Sequence, residues 1–215
     1  MTVTDTSSSD RQYRMQLADA LCARLCHDLA SPLGTLMNAL ELAADDPDSL
    51  EDALPLANET AVEMGSRLRL LRTAWAGDCG PQSTAQLVEL AAGLPSRVKA
   101  DLSDLPATTF DGPVARALIN LLLLGAEALP RGGVVALSGS GSGEILVTVS
   151  GKAAAWPAGL PQALIDPMSV SLDNPRAVQP PITVLLAQDA GRRLSILMTP
   201  NPDPNAVPPL LLATN

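Results

Sequence analysis

Aromatic side chains are nearly missing from this chain. They make up 2% of 215 residues, against 47% for all hydrophobic types. A core must therefore be built from Leu, Ala and Val, which suits packed helices better than a β-sandwich. Basic residues are also scarce: 14 Lys and Arg face 23 Asp and Glu, for a net charge of -9. That balance excludes a surface built to follow a phosphate backbone, so no nucleic-acid partner is expected. The three cysteines are too few and too irregular for a disulfide framework. Cys22 and Cys26 stand one helical turn apart beside an apolar stripe, where packing is expected rather than a metal pair, and Cys79 lies in a linker. No stretch is long and apolar enough to span a bilayer; Ala117 to Leu129 falls short. The opening MTVTDTSSSD lacks the basic-then-apolar pattern of a secretory leader. A reduced, cytoplasmic setting with no membrane partner is the resulting expectation. Histidine occurs once, as His27.

That histidine sits in the stretch around which the chain is organised, LCARLCHDLASPLGTLMNAL from Leu21 to Leu40. From Ser9 to Ala44 the apolar residues recur with helical period. Ala18, Leu21, Cys22, Leu25, Leu29, Pro32, Leu33, Leu36, Leu40 and Ala43 share one side. On the same wheel His27 falls about 180° from the stripe's centre, with Arg24, Ser31, Gly34 and Asn38 on its face. The ring is thus predicted to face water. An unperturbed imidazole titrates near pH 6.5, roughly, and its neutral form is a good nucleophile. Asp28 is placed to orient the ring or accept its proton. Arg24 and Ser31, one turn to either side, are candidate contacts for phosphoryl oxygens. Gly34 has no side chain to obstruct a docking protein, and Pro32 predicts a bend just after the histidine.

The remaining organisation follows from breaks in the pattern. Residues 1–8 are polar and expected to fray, with Ser9 or Asp10 capping the first helix. The acidic turn Asp45-Asp46-Pro47-Asp48 ends it, and Asp48 or Ser49 caps a second helix to Trp75. The second helix carries its own stripe of Leu50, Leu54, Ala57, Ala61, Met64, Leu68, Leu71 and Trp75. A two-helix hairpin cannot bury both stripes alone. Pairing with a second copy into a four-helix bundle would do so, and a homodimer is expected; packing of the hairpin on its own C-terminal half is the alternative. Gly77 to Pro81 breaks the helix and divides the chain into residues 1–78 and 79–215. Helices are then expected at Thr84–Leu94, Gly112–Leu129 and Ile182–Asp189. Strands are expected at Arg97–Leu102, Val134–Ser138, Glu144–Val149 and Arg193–Met198, with a last edge strand at Leu210–Leu212. Gly139 to Gly143 reads as a hairpin loop, residues 151–175 as irregular with one short helix near Gln162, and Pro200 to Pro209 as extended. The fold class is α+β: a helical hairpin followed by helices on one face of a mixed sheet.

HDLASPLG, His27 to Gly34, resembles the phosphoacceptor box of sensor histidine kinases. The longer stretch LCARLCHDLASPLGTLMNALELA is similar to the ChpT-type histidine phosphotransferases, and the likeness runs from Leu17 to Met198. The order of elements after residue 79 resembles the kinases' ATP-binding domain, the Bergerat fold, in degenerate form. ALINLLLLGAEALPRGGVVAL, Ala117 to Leu137, resembles the asparagine box, with Asn120 at its first Asn and Leu124 where the magnesium-holding Asn belongs. Ser150 stands at the Asp of the Asp-x-Gly-x-Gly box, and Pro180 and Pro181 stand where glycines should meet phosphates. Leucine cannot coordinate a hard cation and proline has no N–H for a phosphate, so nucleotide binding is not expected. Gly139 to Gly143 lacks the Lys-Ser/Thr and helix of a phosphate loop.

The resemblance implies a dimeric histidine phosphotransferase of a bacterial phosphorelay. His27 would be the phosphoacceptor with Asp28 and Arg24 beside it, and Ser31, Gly34 and Asn38 would line the docking surface. The partners would be receiver domains of a hybrid histidine kinase and of response regulators. No cofactor of its own is implied, and Mg2+ would arrive on the receiver. Two rivals stay open: an active sensor-kinase core, and a non-enzymatic dimeric scaffold or inhibitor.

Overall fold

A computed structural model of the chain describes residues 3–77, 79–139, 143–198 and 207–214. Helix α1, Val3–Asp45, folds back through a short turn onto α2, Leu50–Trp75. Helix α1 begins before the predicted caps Ser9 and Asp10, so neither caps it, and residues 3–8 are helical; Met1 and Thr2 lie outside the described residues. The helix continues through Pro32. In the turn, Asp46 accepts from the Asp48 N–H at 3.1 Å, and the Ser49 hydroxyl donates to the same carboxylate at 2.6 Å. Asp46 is therefore the capping side chain, while Ser49 occupies the first cap position of α2 with its hydroxyl turned away.

The seam of this hairpin is built from small residues. Ala39, Ala53, Ala57 and Thr60 are buried, so the two helices approach closely. The larger predicted stripe divides. Leu71 enters the core, and Leu70 and Ala74 beside it do the same, packing with the second half of the chain. Leu33, Leu40, Leu50, Leu54 and Leu68 remain exposed in the single chain.

After the hairpin the order is β1 (Gln82–Ser83), α3 (Thr84–Ala91), β2 (Val98–Asp101), β3 (Thr109–Phe110), α4 (Gly112–Glu127), β4 (Gly133–Gly139), β5 (Ile145–Ser150), α5 (Leu160–Ile165), α6 (Gln179–Asp189), β6 (Arg192–Ile196) and β7 (Leu210–Thr214). The main sheet has the order β2-β4-β5-β7-β6. Its first pair is parallel and the others antiparallel, which is the mixed α+β architecture expected. Strand β7 is not the edge. It is inserted between β5 and β6, with Leu212 opposite both Ile145 and Leu194, because Leu210 and Leu212 are completely buried by the helices on that face. The small β1–β3 pair went unpredicted, since two-residue strands carry no period. Strands β4 and β5 pair antiparallel as expected; the expected Gly139–Gly143 loop and the extended run Pro200–Pro209 fall mainly on residues 140–142 and 199–206, which lie outside the described residues.

Alternation on β5 shows which face is covered: Ile145, Val147 and Val149 are buried and their neighbours are not. Helix α4 lies over that face and is buried nearly all round, which its apolar run demanded. A Cβ on Gly125 would come within 2.3 Å of Val135 Cγ2, so this glycine sets the helix-to-sheet distance. Asp111 caps α4 by accepting from the Val114 N–H, and Ser83 with Gln86 forms a capping box on α3. Helix α6 starts at Gln179, so Pro180 and Pro181 lie in its first turn instead of a loop, where their missing N–H groups cost little.

Candidate functional site

The His27 ring stands out from α1 with 58% of its side chain exposed. Its Nδ1 lies 3.3 Å from Asp28 Oδ1. Asp28 is far less exposed, at 11%, and each of its oxygens has a guanidinium. Arg24 Nε donates to Oδ1 at 2.9 Å across one helical turn, and Arg67 Nη2, from α2, donates to Oδ2 at 2.6 Å. Arg24 also donates through Nη1 to Glu127 Oε1, at the end of α4, at 2.5 Å. Arg67 reaches the Gly93 carbonyl at 3.3 Å. A Cβ on Gly93 would lie 2.4 Å from the Ser66 carbonyl, so the loop after α3 can close on α2 only with glycine there.

Electrostatics follow from this bracing. Burial alone would raise the Asp28 carboxyl, but the adjacent Arg24 and Arg67 overcome it, and the group is held below the usual carboxylate range. Glu127 goes the other way: burial pushes it up, and Arg24 only partly offsets that. An ionised Asp28 is an acceptor only, so its hydrogen bond to the ring requires a proton on Nδ1. The neutral ring then presents the Nε2 lone pair outward.

The wheel placed Arg24 on the open face with His27. The structure instead buries it, because two carboxylates compensate the guanidinium. Ser31 and Asn38 are exposed further along α1, and a Cβ on Gly34 would meet nothing within 4 Å. Cys22 and Cys26, expected to pack, are exposed, whereas Cys79 is buried. Arg67 and Glu127 were not anticipated. They lie 39 and 103 residues from their partners, and no local pattern encodes such pairings.

The residues at the positions where the resemblance would put nucleotide ligands have other uses. Asn120 is completely buried. Its Nδ2 donates to the carbonyls of Ala74 and Arg116, and its Oδ1 accepts from Trp75 Nε1 and Gln179 Nε2. Leu124 belongs to the apolar core and Pro180 and Pro181 are buried in α6. These residues do not fit a magnesium nucleotide: the one amide is spent fastening α2 to α4 and α6, and the other positions have no donor or ligand to offer. Among the described residues, no helix is long and apolar enough to cross a membrane.

Residues 84–202 match the family model of the histidine phosphotransferase C-terminal domain. Over 202 residues the chain is 32% identical to protein phosphotransferase ChpT of Brucella abortus (strain 2308), covering 86% of this chain and 91% of that one. A solved structure of a bacterial phosphotransferase superposes with a TM-score of 0.71 at 27% identity, over 92% of this chain and 95% of the other. The class is therefore that of the phosphotransferases of two-component signalling. Within it, the chain belongs to the ChpT-type histidine phosphotransferase family.

Proposed function

We propose that His27 is the phosphoacceptor of a phosphorelay, taking a phosphoryl group from one receiver-domain aspartate and passing it to another. The observation that carries this reading is an exposed ring whose Nδ1 meets a carboxylate braced by two arginines. The Nε2 lone pair attacks phosphorus, the bond from phosphorus to the aspartyl oxygen breaks, and the carboxylate leaves with the electron pair. The ring becomes cationic and keeps its Nδ1 proton, which Asp28 stabilises. No proton need move. That suits a shuttle, because a cationic phosphohistidine is a better leaving group for the next transfer than a neutral one. Asp28 is thus an orienting group rather than a base, and its depressed pKa favours that assignment. Arg24 supports Asp28 and does not reach outward for phosphoryl oxygens.

Residues 1–78 form the transfer and dimerisation unit and residues 79–215 the ATPase-like unit. The outward Leu33, Leu40, Leu50, Leu54 and Leu68 support a homodimeric four-helix bundle. Ser31, Gly34 and Asn38 line the receiver-docking surface. Donor and acceptors are receivers of a hybrid kinase and of response regulators, in the cytoplasm, with Mg2+ on the receiver. Incubating the chain and a His27→Ala variant with a radiolabelled phospho-receiver tests the proposal. Label should reach the native chain alone. Transfer to the variant rules out His27, and transfer to neither favours a scaffold.

A further inference from the structure

Behind His27, charged side chains from three helices converge. Arg24 and Asp28 come from α1, Arg67 from α2 and Glu127 from α4, and none has more than 16% of its side chain exposed. The contacts form a chain with a direction. Glu127 holds Arg24, and Arg24 holds Asp28 Oδ1, the same oxygen that meets the ring. Arg67 holds the other oxygen and is itself tethered to Gly93. With both oxygens gripped, the carboxylate cannot rotate away from Nδ1.

Charge matters as much as geometry. Two arginines and two carboxylates balance. Without Glu127 the cluster carries a surplus positive charge beside a ring that must itself become cationic during transfer, and like charge opposes that. Arg176 lies near enough to Glu127 to add to the positive field.

We infer that Glu127 and Arg67 are positioning residues for phosphotransfer, fixing Asp28 so that His27 holds its proton on Nδ1 and keeps Nε2 open. The ATPase-like half, whose Asn120, Leu124, Pro180 and Pro181 do not fit a magnesium nucleotide, thereby contributes to the chemistry without touching the phosphoryl group. The consequence for transfer rests on His27 being the phosphoacceptor; the effect on the ring does not.

The two can be separated because His27 is the chain's single histidine, so its ring nitrogens are assigned without ambiguity. Nitrogen-15 spectra of the full-length protein would be recorded with the ring neutral, for the native chain, Glu127→Gln and Arg67→Gln. The native ring should carry its proton on Nδ1. Both variants should shift toward the Nε2–H tautomer and accept label about tenfold or more slowly, the scale on which hydrogen-bond partners of a metal-bound imidazole act. Should Glu127→Gln fail to fold, Arg67→Gln reads the same carboxylate from its other oxygen. An unchanged tautomer in the folded variants overturns the inference even if His27 takes label. A native chain that takes no label, while the variants still shift the tautomer, sinks the relay reading and leaves the positioning network standing.

Discussion

Replacing Asn120 by Ala distinguishes a leftover nucleotide ligand from a structural fastener. A leftover ligand would be dispensable for folding. The contacts argue otherwise. The substitution removes two donors, to Ala74 and Arg116, and an acceptor shared by Trp75 and Gln179. Some partners survive the loss. The Ala74 carbonyl keeps Arg116 Nε at 2.9 Å, and Gln179 keeps Thr183 Oγ1 at 3.0 Å. Trp75 Nε1 has no other acceptor among the described residues, and an abandoned indole donor costs about 1–3 kcal/mol. The void left by the amide adds about 1 kcal/mol, for a total of roughly 2–4 kcal/mol. At about 2–4 °C per kcal/mol for a chain of this size, the melting temperature should fall by roughly 5–15 °C. Circular dichroism melts measure that directly. Trp75 emission should shift to the red, with Trp156 as a remote reference. A melt within about a degree of the native one would refute the reasoning, as would native stability combined with loss of ATP binding.

Leu124→Asn, which restores the missing asparagine, should destabilise the chain by about 2–5 kcal/mol in thermal melts and confer no calorimetric heat with magnesium ATP, because it puts an amide into a dry core. Gly125→Ala should cost about 1–3 kcal/mol by chemical denaturation, since its Cβ would overlap Val135. Asp28, held low by its arginines, adds stability that is full above its unfolded pKa of about 3.9 and is lost as pH falls through the lower folded value. The stability gap between native and Asp28→Asn proteins should therefore shrink below about pH 4 in pH-dependent denaturation. Glu127, raised by burial, has the opposite sign: what it adds is present below about pH 4.3 and lost as pH climbs through its folded value, so Glu127→Gln should flatten that decline.

The outward histidine, the two long helices, the end of the second helix at Trp75 and most of the strands were legible in the sequence. Each is written in a period of 3.6 or 2, or in a Gly or Pro stop, and such signals need no knowledge of distant contacts. The family was legible too, through HDLASPLG and the pattern of missing nucleotide ligands. Other features depended on the assembled fold. Arg24 looked like a surface cation because its wheel angle says nothing about Glu127, which arrives from 103 residues away. Leu210 to Leu212 looked like an edge strand, yet it fills a gap between β5 and β6 that exists only once the sheet is formed. Local periodicity decides which way a side chain points along its own helix or strand; what it meets there, and therefore its charge state and its use, is set by chain closure over long separations.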